Sequence, residues 1–217
     1  MRKKSCEGMA GCLLAVLLSG LMLAGCARSA PVSYYQLSAL ESSRSVQVPA
    51  EAEKVAIGIG PVRLPEYLDR PQLVTRLSAN RLQMADSHRW AEPLGENISR
   101  VLGENLSRLL GTDRILLYPW PSSGNTGYQL LVEVLNFENE SDGTAKMTVR
   151  WSVKAADGET VLPARRSSHR IAASGQEREG QVAALNEALG SFSREVAGEL
   201  LPLLVKSFSP ELLEKQR

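Results

Sequence analysis

Residues 144–155 read TAKMTVRWSVKA, and this stretch decides the fold. Apolar side chains occupy every second position from Ala145 to Ala155, with Lys, Thr, Arg or Ser between them. Successive side chains of a β-strand point to opposite faces of its sheet. The pattern therefore predicts a strand with one buried and one solvated face, which is typical of antiparallel sheets covered on one side.

The flanking segments extend this strand into a meander. Residues 128–137, YQLLVEVLNF, predict a long strand before it, and the turn residues 141–143, SDG, separate the two. Asp157 and Gly158 then predict a second hairpin turn that leads into a third strand.

Further strands are predicted earlier in the chain. Residues 54–64, KVAIGIGPVRL, read as a buried strand that Pro61 and Pro65 stop. Residues 71–86 predict two short strands joined around 79–80, and residues 114–120 predict another.

Two segments have helical periodicity. The first begins near Pro93 and stops at Gly111, and its apolar stripe comprises Ile98, Val101, Leu102, Leu106, Leu109 and Leu110. The second covers residues 177–201, ends where Pro202 disturbs it, and carries Val182, Leu185, Leu189, Phe192, Val196 and Leu200. The sequence therefore predicts an α+β fold of two layers, a mainly antiparallel sheet with two long amphipathic helices on one face.

The N-terminus has the three parts of an export signal. Basic residues at 2–4 precede an apolar run over 12–24, which is shorter than the roughly 20 residues that span a bilayer. Residues 23–26, LAGC, resemble a bacterial lipobox, in which Cys26 is lipidated; the alternative is an ordinary secretory signal with a chance cysteine. Ala27, rather than Asp, then favours sorting to the outer membrane with the domain facing the periplasm.

These observations predict four parts. Residues 1–25 are a lipoprotein signal peptide, and 26–53 are the lipidated N-terminus and a tether with a short strand at 34–37. Residues 54–206 are a single periplasmic domain, and 207–217 are a flexible tail. Cys6 and Cys12 leave with the signal peptide, so the mature chain has no cysteine pair for a disulfide.

Composition excludes several function classes. Loss of three basic residues and one acidic residue with the signal peptide lowers the formal net charge from +1 to −1. This balance argues against nucleic-acid binding and against a polybasic membrane patch. Aromatic residues make up only 5% of the chain, which disfavours an aromatic-lined sugar site.

Candidate catalytic and metal sites are few. His88 and His169 are the only histidines, and a zinc site would need further ligands from carboxylates. Residues 136–143 have the composition of a calcium loop without its spacing, and are better explained as a polar hairpin tip. Paired carboxylates such as Glu138 and Glu140 could be posed as a glycosidase-type hydrolase dyad, but they lie on the same side of a strand at a turn and no aromatic cleft is evident. We expect no enzyme, no metal and no cofactor apart from the covalent lipid.

Residues 64–76, LPEYLDRPQLVTR, form the sharpest local feature, because two prolines frame a segment too short for its own core. One interpretation is a connecting turn whose Tyr67 and Leu68 plug the sheet. The other is a preformed loop that presents Tyr67, Asp69 and Arg70 to a partner. If the loop is core, a docking surface is expected on the strand face 146–154 or after residue 202.

Residues 89–94, RWAEPL, raise the same choice. Trp90 at a helix entrance is either a core residue or a binding anchor.

These segments together resemble a known family. Residues 34–37 (YYQL), 60–76 (GPVRLPEYLDRPQLVTR), 89–94 (RWAEPL) and 101–106 (VLGENL) are similar to the PqiC-type auxiliary lipoproteins of ABC-type and MCE-type transport systems. The resemblance rests on specific motifs over residues 34 to about 120. Beyond that, only the general pattern of the sequence is similar.

The resemblance implies an outer-membrane lipoprotein that pairs with a periplasm-spanning MCE protein, in a system that moves lipids between two membranes and supports envelope integrity. The partner-binding residues expected on this basis are Leu64, Tyr67, Leu68, Asp69, Arg70, Arg76, Trp90 and Glu92. A homo-oligomer is left open. The alternative is a lipoprotein cofactor of a cell-wall synthase or of an outer-membrane assembly machine.

Overall fold

The computed structural model describes residues 31–41, 55–120, 126–175 and 177–206. The predicted signal peptide, Cys26, much of the predicted tether and residues 207–217 lie outside the described residues, so the expectations for them stay predictions. None of the described helices is long and apolar enough to cross a membrane.

The described part of the chain forms one eight-stranded sheet and two helices. The strands are β1 (Ser33–Tyr35), β2 (Ala56–Arg63), β3 (Gln72–Ser78), β4 (Arg81–Trp90), β5 (Ile115–Leu117), β6 (Thr126–Glu140), β7 (Ala145–Ala155) and β8 (Thr160–Ile171). The helices are α1 (Leu94–Leu110) and α2 (Arg178–Lys206). The α+β class, both hairpins, the meander and both amphipathic helices are confirmed.

The central strand of the sheet is β6. One of its edges pairs with β7 along most of its length, and β7 pairs with β8. The other edge pairs with β2 over its first half and with β3 at its end. The pairs β3–β4, β6–β7 and β7–β8 are antiparallel, as predicted, whereas β1–β4, β2–β5, β2–β6 and β3–β6 are parallel.

The core lies between the sheet and the two helices. In β7 the apolar positions 145, 147, 149, 151 and 153 are all buried, which is the face that the alternation predicts. The ring of Trp151 meets Phe192 of α2 edge to face at a centroid distance of 5.9 Å. On α1 the residues Ile98, Val101, Leu102 and Leu106 are wholly buried.

Two predicted stops at proline are wrong. Pro61 lies inside β2, where the pairing with β6 shifts register between Ile59 and Val62 and does not require its missing N–H. Helix α2 continues past Pro202 to Lys206, since Leu204 beyond the proline is buried and holds the last turn on the core.

The strand predicted at 34–37 is shorter than expected, and the chain after it forms a strap across both helices. Asn105 of α1 accepts a hydrogen bond from the backbone N–H of Leu40 at 2.8 Å, and Asn186 of α2 accepts one from Ser38 at 2.9 Å. Leu40 packs so closely on Gly190 that a Cβ added there would lie 2.7 Å from Leu40 Cδ2. The strap therefore ties the N-terminal segment to the helical layer.

Candidate functional site

The proline-framed segment joins β2 to β3 as a single tight turn. The backbone N–H groups of Leu68 and Asp69 both bond to the carbonyl of Pro65, at 2.9 and 3.3 Å. The side chain of Leu68 is only 2% exposed, so it belongs to the core. Asp69 is exposed on the other side of the turn.

Tyr67 places its hydroxyl over a buried part of β6. The hydroxyl lies 2.9 Å from Glu138 Oε2 and 3.2 Å from the carbonyl oxygen of Leu135. The β6–β7 pairing shifts register between Val134 and Asn136, which leaves Leu135 at a bulge without a ladder partner. The single hydroxyl proton is shared between these two acceptors, so Tyr67 gives the Leu135 carbonyl a polar partner that the sheet does not.

The carboxylate of Glu138 is buried and fully engaged. Arg76 Nε lies 2.7 Å from Oε1, Asn136 Nδ2 3.1 Å from the same oxygen, and the backbone N–H of Phe137 2.9 Å from Oε2. Burial, followed by the charge of Glu138, raises the pKa of the Tyr67 hydroxyl. The cluster is therefore a structural clamp that holds the loop against the sheet.

The hydrolase dyad considered from sequence does not form a free carboxylate pair in this geometry. Glu138 is occupied by the clamp, and Glu140 pairs with Arg170 and Lys146. The histidines are also apart from each other: His88 Nδ1 contacts the Tyr35 hydroxyl at 2.8 Å, and His169 Nε2 lies 3.1 Å from Glu195. Among the described residues, no group of three or more His, Cys, Asp or Glu side chains could hold a metal ion.

A surface groove of about 660 Å³ lies beside this loop. It is bounded by the end of β2, the loop, the first turns of α1 and the segment after β5. Its lining comprises Pro61, Val62, Leu64, Asp69, Glu92, Pro93, Gly95, Glu96, Ser99, Arg100, Leu117, Tyr118 and Pro119.

Charged groups stand on the groove wall. Arg100 Nη2 lies 2.7 Å from Glu92 Oε1, and Arg100 Nη1 lies 3.0 Å from Glu104 Oε1. The hydrogen bond from Arg100 holds the pKa of Glu92 below its usual range. The wall therefore carries ionised groups at neutral pH.

The structure divides the predicted partner-binding residues into two groups. Leu64, Asp69 and Glu92 line the groove.

The second group serves the fold. Tyr67 and Arg76 belong to the clamp, and Arg70 is half-buried. Leu68 and Trp90 are buried, with the Trp90 ring 6.3 Å from that of Phe137. The geometry of Tyr67, Leu68 and Trp90 matches the interpretation in which they are core residues.

The predicted site residues include only three of the thirteen that line the groove. Leu117 is the last residue of β5 and Tyr118 follows it, both within the strand predicted at 114–120, and no site role was predicted for Glu96 or Arg100. Their apolar or charged character was visible, but their convergence depends on the parallel pairing of β5 with β2.

Comparison with known proteins identifies the family. The model for the ABC-type transport auxiliary lipoprotein component matches residues 35–197. The chain belongs to this family. No curated protein matches the chain.

Solved structures share the fold of this auxiliary lipoprotein. A Xanthomonas campestris protein of the DUF330 family is 17% identical, with 82% of this chain and 99% of that one covered and a TM-score of 0.66. A crystal structure of an uncharacterised protein is 21% identical, covers 79% of this chain and 99% of its own, and has a TM-score of 0.65. At these identities the likeness concerns the fold.

Proposed function

We propose that this auxiliary lipoprotein is the outer-membrane docking component of an MCE-type intermembrane lipid transport system and thereby supports envelope integrity. The observation that carries the proposal is the family match over residues 35–197, which makes the chain a partner of a transport system. The lipidated Cys26 attaches the domain to the membrane, and the domain binds the periplasm-spanning MCE protein.

The described surface supports a binding role. The groove places Leu64 and Asp69 of the loop beside Glu92 and the start of α1, and the Tyr67 clamp holds the loop in one position. A surface whose shape is already set loses little conformational entropy on binding, which raises affinity for a given contact area.

Co-purification from native membranes tests the partner. The full-length lipoprotein, captured through a C-terminal tag, should enrich the MCE protein encoded by the same strain, and a tagged lipoprotein of another family should not. Enrichment of a cell-wall synthase or of an outer-membrane assembly protein without the MCE protein would instead support the alternative function.

The membrane attachment has its own test. Cys26→Ser removes the acceptor of the acyl chains, which together hold a protein firmly on a bilayer. The variant should leave the outer-membrane fraction, as measured by sucrose-gradient sedimentation. Its retention there would contradict the lipobox assignment.

A further inference from the structure

The apolar part of the groove is unusually open to solvent. Leu117 and Tyr118, on its wall, are 40% and 55% exposed, and Val62 and Leu64 contribute further apolar surface. Covering apolar surface is favourable by about 25 cal/mol per Å². Most other large apolar side chains of the described domain are already covered by the sheet or the helices.

The groove carries a net negative charge. Its wall has three carboxylates, on Asp69, Glu92 and Glu96, and one guanidinium, on Arg100. Arg100 is neutralised by Glu92 and by Glu104 outside the groove. Within the described ranges Asp69 and Glu96 have no ion-pair partner, so their two charges remain uncompensated.

The start of α1 offsets only part of this charge. Pro93 stands at the N-cap position and makes no side-chain cap, so the first turn of the helix presents free N–H groups near the groove. A helix N-terminus is equivalent to about half a positive charge. Two free carboxylates outweigh that, and the groove stays negative.

We infer that the groove binds a segment of the transport partner that carries an apolar side chain flanked by Lys or Arg. The inference rests on the proposed function and adds the chemistry of the bound segment. The apolar side chain would cover Leu117 and Tyr118, and the cation would pair with Asp69 or Glu96. The same carboxylates repel the phosphate of a phospholipid headgroup, which favours a polypeptide over a lipid as the occupant.

Site-specific cross-linking tests which segment lies in the groove. In the full-length protein, Tyr118 is replaced by the photo-reactive p-benzoylphenylalanine. Cells that express this variant are irradiated, and the segment cross-linked to it is identified by mass spectrometry. The matched control is the same replacement at Tyr34, which is 64% exposed on β1 and outside the groove. We expect an adduct from position 118 only, on an MCE segment with apolar and basic residues. An adduct on an acidic segment, or on a lipid, would overturn the inference.

Charge removal provides an independent measurement. Asp69→Asn with Glu96→Gln should weaken capture of the purified MCE protein at least tenfold and reduce its sensitivity to NaCl. Asp86→Asn with Glu159→Gln removes two exposed carboxylates outside the groove and should leave capture unchanged. Equal capture by both double variants would overturn the inference and leave the proposed function standing. Failure of the wild-type protein to capture the MCE protein would instead overturn the proposed function.

Discussion

Two arginine–glutamate pairs with the same N···O distance sit in different surroundings. Arg76 Nε and Glu138 Oε1 are 2.7 Å apart under the loop, and Arg100 Nη2 and Glu92 Oε1 are 2.7 Å apart on the groove wall. The side chain of Glu138 is 0% exposed, whereas that of Glu92 is 29% exposed. Distance alone therefore does not distinguish them.

Burial gives the two pairs different consequences. An unpaired carboxylate in the interior cannot recover the hydrogen bonds of water, so loss of one partner is costly. A partly exposed carboxylate such as that of Glu92 is rehydrated when its partner is removed, and such pairs contribute little to stability. The clamp should therefore control stability, and the groove wall should control binding.

Substitution of a residue in the apolar core should destabilise the domain more than substitution in either ion pair. Leu106 is wholly buried on α1, and Leu106→Asp would place a charge there without any partner. The cost should exceed about 4 kcal/mol, a large share of the ~5–15 kcal/mol that stabilises a domain. We expect no cooperative thermal transition by circular dichroism. A variant that melts like the wild type would show that this helix face is not core.

Breaking the clamp should have the next largest effect. Arg76→Ala leaves the buried Glu138 with Tyr67, Asn136 and one backbone N–H as partners, and should lower the free energy of unfolding by about 2–4 kcal/mol. Urea denaturation measures the change. Adding Glu138→Gln to Arg76→Ala should restore part of the lost free energy of unfolding, because the double variant no longer buries an uncompensated carboxylate. No recovery would mean that geometry rather than charge dominates the site.

Removing Tyr67 tests whether the loop serves stability or binding. Tyr67→Ala with Arg70→Ala deletes the hydroxyl bonded to Glu138 and Leu135, and we expect melting temperature to fall together with partner binding. Tyr67→Phe, which keeps the ring, should lose less stability. Weaker binding at an unchanged melting temperature would place the loop in the interface instead.

The groove pair should have the smallest effect. Glu92→Gln should cost less than about 1 kcal/mol at neutral pH. Arg100 lowers the pKa of Glu92 in the folded protein. The stabilisation from this pair is therefore fully present above the ordinary pKa of a glutamate, and it is lost as pH falls through the lowered pKa. The wild type should therefore lose slightly more stability than the variant as pH falls below about 4.3, the ordinary pKa of a glutamate. Parallel pH profiles, measured by urea denaturation, would contradict this.

The strength of sequence-based prediction differed between neighbouring elements. The alternation in 144–155 and the leucine stripe of α1 were sufficient for β7 and α1, because each pattern repeats over many residues. The stops predicted at Pro61 and Pro202 were wrong. A single missing N–H is tolerated at the register shift beside Pro61, and in the last helical turn after Pro202, which the buried Leu204 holds on the core. The clamp was not predicted, because Tyr67 and Glu138 are 71 residues apart.

Local residue patterns specified the α+β class, the meander and both helix faces, because the periods of strands and helices are set by the backbone itself. They also pointed to the loop at 64–76 as a special segment. The parallel pairing of β2 with β5 and β6, the strap over the helices and the groove came only from tertiary structure. Each of these features depends on contacts between segments far apart in the chain, and a short stretch of sequence does not predict such contacts. Burial decided which of two equal ion pairs belongs to the fold and which lines the surface.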